Sequence, residues 1–109
     1  MTLYDAPFKA IASKQKDIEM RLYDEKRKQI KENDIIEFTN LVTKEILTVL
    51  VIKMHVFDDF ESLYASFNKV RIGYKEDEIA NPSDMELYYS KQDIKENKVV
   101  GIEIKLINK

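Results

Sequence analysis

At 109 residues with no cysteine, the chain is long enough to bury roughly two-thirds of its unfolded surface as one domain spanning 1–109, and it excludes disulfides and thiolate metal sites. A charged fraction of 35% beside 44% hydrophobic residues excludes a disordered polymer. The net charge of −2 excludes a protein that coats nucleic acid by bulk attraction, although residues 9–31 carry eight Lys/Arg against four Asp/Glu on an otherwise acidic chain. Thr2, Asp5 and Pro7 interrupt any apolar run at the N-terminus and no stretch has the length of a membrane span, so a cytoplasmic protein without membrane partner is expected.

Ala6 to Lys14 reads as a short helix, with Asp5 as its cap, Pro7 in the first turn and Phe8, Ile11 and Ala12 on one face. Lys16 to Tyr23 reads as a strand, because Ile18, Met20 and Leu22 alternate with Asp17, Glu19 and Arg21. Glu19 and Arg21 then stand side by side on its polar face, where a solvated surface pair and a built site both fit the pattern. Asp24 to Ile30 is too charged for core and reads as a turn or short helical piece, with Lys26, Arg27 and Lys28 free to touch phosphates or water. A second strand runs from Asp34 to Asn40, with Ile36 and Phe38 on one face and Ile35 on the other.

Glu45 to Phe57 is the longest apolar run and predicts a central strand with core on both sides or a helix over one. His55 near its end is the sole histidine and cannot form a zinc site of the usual kind, so it reads as a structural or rim residue. Asp58, with Glu61 as return acid, opens a helix whose stripe is Phe60, Leu63, Tyr64 and Phe67. Asn68 to Pro82 is irregular and long for a loop, which suits a mobile lid over a cleft. Ser83 and Glu86 form a capping box for a helix carrying Met85, Tyr88 and Tyr89, and Asp93 to Asn97 adds one more turn. Lys98 to Ile107 alternates cleanly and closes the sheet, with Gly101 marking a bulge or bend. No glycine-rich phosphate loop, nucleophile elbow or His-based acid/base pair is present, so neither metal nor cofactor is expected.

The run K-x-x-E-x-R formed by Lys16, Glu19 and Arg21 is preceded by P-F-K-A-I (Pro7 to Ile11) and followed by N-D-I-I-E-F (Asn33 to Phe38). Together these resemble the ASCH domain, a family of PUA-like β-barrels, and in particular its small bacterial single-domain members. Where that family usually carries Gly-Asp at the turn, this chain has Asn33-Asp34, and asparagine tolerates the left-handed conformation. The resemblance implies an α+β fold: a small barrel of about five strands with two or three peripheral helices.

It also implies a binding module that recognises RNA or a nucleotide in a cleft lined by the K-x-x-E-x-R strand. Lys16 and Arg21 would contact phosphate or a base edge, Glu19 would accept from an exocyclic amine, and a tyrosine would stack on the base. Arg27 and Lys28 would add phosphate contacts. The alternative is a small amidohydrolase acting on a modified nucleoside such as N4-acetylcytidine, a reaction that some ASCH proteins perform with a Lys, a Thr and a Glu. Lys16 matches their lysine, and Glu19 stands where their threonine would be. Glu19 would then have to activate a water, and Glu76 or Glu78 would fill the glutamate position.

Overall fold

The structure is a computed structural model and describes residues 1–108. The alternating apolar runs form five strands: β1 (Thr2–Leu3), β2 (Ile18–Leu22), β3 (Ile35–Asn40), β4 (Ile46–Phe57) and β5 (Val99–Asn108). They make one sheet in the order β1-β3-β4-β5-β2, antiparallel except for the short β1–β3 pair. The helices are α1 (Asp5–Ala12), α2 (Glu25–Lys28), α3 (Phe60–Ser66), a 3-10 helix (Pro82–Leu87) and α4 (Lys91–Asn97). This is the expected α+β arrangement, a sheet curled into a half-barrel. Among the described residues no helix is long and apolar enough to cross a membrane.

Curling has a local cause. In the β4–β5 ladder Ile52 and Ile107 have no partners, because the register shifts at each of them. Such bulges bend and twist a sheet, and each reverses the inward-outward phase of its strand. Before Ile52, Leu47, Val49 and Val51 point inward and are buried, whereas Ile46 and Ile52 are exposed. Beyond it Met54 packs on the interior cluster, while Phe57 packs under α3 with Phe67 at 6.1 Å. Cover on both sides is therefore confined to Met54 and Phe57 in its far half, where Val56 stays exposed. The near half is covered on one face.

Two apolar layers result. The interior holds Phe38, Val49, Val100 and Ile102, and α1 plugs it with Phe8 and Ile11. The second layer lies on the other face of β2 and β5, where Ile18, Met20 and Val99 meet Phe60 and Leu63 of α3, Ile72 and Met85. The turn before β3 uses Asn33 at φ +74°, as the asparagine allows.

Several local readings are corrected by the structure. Tyr4, not Asp5, is the N-cap of α1, and Asp5 sits in the first turn, bound to Lys9 and Asn40. Asp59 rather than Asp58 caps α3 through the Ser62 amide, which moves Glu61 out of the return position. Asn81 rather than Ser83 opens the next segment, and with Pro82 following it the chain winds as a 3-10 helix. At the last two of these helix starts a neighbouring Asx side chain wins the competition for the free amides. β5 does not close the sheet but lies inside it, between β4 and β2.

Gly101 is neither bulge nor bend, since the ladders run through it to Met20 and His55 without a shift. It is a clearance: a Cβ there would lie 3.0 Å from Ile18 Cγ2, 3.4 Å from Phe67 and 3.5 Å from Leu63. Gly101→Val, favourable for a strand by propensity, should therefore destabilise by about 1–3 kcal/mol through overpacking α3 against the sheet. Urea unfolding measures it, and an unchanged or higher midpoint would refute the clearance argument.

Candidate functional site

β1 and β2 are the two edges of the sheet, and no ladder joins them. Along this unclosed seam lies a cleft of about 1110 Å³. One wall is β1 with the start of α1, the other is β2, and Ile72 to Lys75 together with the 3-10 helix and the tyrosines after it complete the rim.

Because β2 is covered on both faces, its polar side is not a solvated surface. Glu19 and Arg21 lie opposite Ile102 and Val100 in the ladder and so look toward the interior plugged by α1. Glu19 is 3% exposed and Lys16, just before the strand, 7%. Lys16 Nζ donates to Glu19 Oε1 at 2.7 Å, and Arg21 Nε donates to Glu19 Oε2 at 2.9 Å. Arg21 Nη2 also donates to the Thr2 carbonyl at 2.8 Å, so a single guanidinium spans the seam from β2 to β1.

Burial pushes the Glu19 carboxyl up, but the charges and hydrogen bonds of Lys16 and Arg21 outweigh it and hold the group below its ordinary value of 4.5. Glu19 is thus a fixed counter-ion with both oxygens occupied, and a poor base. One carboxylate between two cations leaves the site positive. Two N–H groups of Lys16 Nζ and both of Arg21 Nη1 have no protein acceptor among the described residues. The backbone N–H and C=O of Met20 face the same free edge, since the ladder to β5 engages its neighbours Glu19 and Arg21.

The Asn68–Pro82 segment borders this cleft, and its first part is built in rather than loose. The Arg71 carbonyl accepts from the amides of Asp17 and Ile18 at 3.1 Å, its guanidinium grips Asp17 at 2.9 and 3.2 Å, and Ile72 is buried. Gly73 follows at φ +113°, lying on the Lys16 stem where a Cβ would meet Cδ at 3.4 Å. Beyond it Tyr64 and Tyr74 hydroxyls are 2.9 Å apart, and Tyr74 donates to Asp84 at 2.7 Å. Burial first, then these partners, pushes the Tyr74 hydroxyl far up, so the chain of hydroxyls stays protonated and fastens α3 to the segment and the 3-10 helix.

Of the residues singled out from the sequence, Lys16, Glu19 and Arg21 come together at the cleft. Arg27 and Lys28 do not: they sit on α2, outside its lining, against Asp24 at 3.2 Å and Glu25 at 3.4 Å. Five of the eight cations between residues 9 and 31 are ion-paired, which removes most of the apparent basic patch. Glu78 borders the cleft and Glu76 does not. His55 lies outside the cleft lining, half-buried on β4 against Phe67 and bound to Glu103 at 2.8 Å. Among the described residues no group of three or more His, Asp or Glu is placed to hold a metal. Missed by sequence reasoning were the tyrosines at positions 4 and 74, which no periodicity marks, whereas Tyr88 was read only as part of a helix face with Met85 and Tyr89.

A five-stranded half-barrel plugged by a helix and open along a charged seam is a small PUA-like fold. The chain belongs to the ASCH domain family, which it matches over residues 1–108. It is similar to the hypothetical protein PH0355, known from a crystal structure, with 30% identity, a TM-score of 0.82 and coverage of 98% of this chain and 96% of that one. It is also similar to the protein PF0455 from Pyrococcus furiosus, solved by solution NMR, with 28% identity, a TM-score of 0.73 and 98% of each chain covered. No functionally curated protein matches the chain.

Proposed function

We propose that this chain is an RNA- or nucleotide-binding module whose ligand enters the seam cleft at Lys16, Glu19 and Arg21. The observation that carries the reading is the buried Glu19 carboxylate, clamped on both oxygens so that the two cations keep spare donors aimed at the cleft. Fixed donors without mobile counter-ions suit the acceptor-rich edges and phosphates of nucleotides. Membership of the ASCH family supports the same class. The amidohydrolase alternative gains nothing from the geometry, because Glu19 is tied up and its carboxyl is held in the ionised, weakly basic form.

Of the four cations named from the sequence only Lys16 and Arg21 line the cleft, which sets their share of the salt response. A short single-stranded RNA contacting Lys16 and Arg21 should show a log–log slope of affinity against salt of roughly −0.7 to −1.4. Arg27→Glu should change the affinity little, and Lys16→Ala should weaken it strongly. Fluorescence anisotropy with heptauridylate at two salt concentrations, and thermal shift with uridine and its monophosphate, provide the measurement. No binding of any of these, or binding lost in Arg27→Glu and kept in Lys16→Ala, would sink the reading.

A further inference from the structure

Tyr4 and Tyr88 are each 59% exposed, and both line the cleft, from opposite walls. Tyr4 joins β1 to α1, whereas Tyr88 ends the 3-10 helix. Their ring centroids are 6.1 Å apart and their planes differ by 39°. Neither ring contributes to either apolar layer, so folding alone gives no reason for two large aromatic surfaces in water at this mouth.

The spacing itself is informative. A centroid distance of 6.1 Å with a tilt is that of two aromatic rings in direct contact, whereas a planar ring held between two others needs two stacked layers, about 7 Å. The two rings thus close on each other across the mouth, and an outward rotamer change of either exposed side chain would open a slot for one planar guest. Arg21 flanks both rings along the chain. Its Nη2 holds the Thr2 carbonyl, two residues before Tyr4, and Tyr89, which follows Tyr88, lies within electrostatic reach of the Arg21 and Glu19 charges.

We infer that Tyr4 and Tyr88 are the jaws that take one base of a single-stranded RNA or nucleotide, stacked between the two rings with its polar edge toward the seam. The inference rests on the binding reading above and deepens it, by adding capture of one base to the contacts of Lys16 and Arg21. The floor presents donors from Lys16 Nζ and Arg21 Nη1, so carbonyl-bearing edges such as that of uracil suit it best. Stacking supplies affinity without demanding one sequence, because every base has a π face.

The test compares wild type with Tyr4→Ala, Tyr88→Ala, Tyr4→Phe and Tyr88→Phe, using labelled heptauridylate and an abasic heptamer of the same charge. Loss of one ring should weaken heptauridylate binding roughly 5- to 150-fold. The phenylalanine variants should stay within a few-fold of wild type, since the ring survives. The abasic heptamer should bind wild type no better than heptauridylate binds the alanine variants. Circular-dichroism melts check that the exposed substitutions leave the fold intact. Alanine variants that bind like wild type, or phenylalanine variants that fail as badly as alanine, would overturn the jaws and leave the cleft reading standing. A wild-type protein that binds neither oligomer would overturn both.

Discussion

Glu19→Ala should lower the stability of the fold by about 3–5 kcal/mol, the cost of leaving buried cations without their counter-ion. The carboxylate is nearly inaccessible and is the only anion within salt-bridge distance of Lys16 or Arg21 among the described residues. Glu19→Gln keeps the shape and one acceptor, so it should fall between wild type and the alanine variant. The carboxyl is held below its ordinary value of 4.5 in the folded state, so its contribution is complete above that pH. It is lost as the pH falls through the lower folded value. Wild type should thus lose stability on acidification below about pH 4.5 more steeply than Glu19→Gln. Urea unfolding at neutral pH and at a series of acid pH values reads both effects. Parallel pH profiles for the two proteins would show that Glu19 is not the stabilising anion.

Phe38→Ala should cost about 3–5 kcal/mol and Met20→Ala nearer 2 kcal/mol, although both side chains are buried. Phe38 is enclosed in the interior with no exposure, and its loss leaves a cavity that the surrounding strands cannot fill. Met20 belongs to the second layer but also forms part of the cleft floor. Truncation there enlarges a space already open to water, so the cavity penalty is reduced and the lost transfer energy dominates. Denaturant midpoints with unchanged slopes test the ranking. Equal losses at the two positions would mean that the cleft floor is as closed as the interior.

How much of this was legible in the sequence depends on how local the cause is. Period-two alternation in Ile35–Asn40 and Val99–Asn108 and the long β-branched apolar run of Ile46–Phe57 are local signals, and those strands were read nearly to their ends. The polar face of β2 was also visible, but its burial was not. Gly73, far along the chain, lies on the Lys16 stem, and Glu19 faces an interior that is assembled from several strands and plugged by α1. Only the family motif pointed to Lys16 and Glu19. Arg27 and Lys28 misled because charge density was counted along the chain, whereas α2 pairs them with its own acids. Isoleucine at positions 46 and 52 misled in the opposite sense, since β-branched residues serve strand propensity on an exposed face as well as packing on a buried one. The pairing of Tyr4 with Tyr88 carries no local signal, because the fold alone brings them within reach of each other.

The Arg21 bridge to Thr2 has a mechanical consequence. The barrel is a hoop with one cut, in which ladders give stiffness everywhere except where a flexible side chain acts as a clasp. Widening the hoop at that point breaks no strand-to-strand hydrogen bond. Its cost includes one charged hydrogen bond, about 1.5–3 kcal/mol, together with whatever contact of the α1 plug and of the Tyr4–Tyr88 pair is parted. The circumference is therefore compliant in one direction and rigid in the others, and a guest bulkier than the resting gap can be admitted by opening the clasp while the sheet keeps its shape.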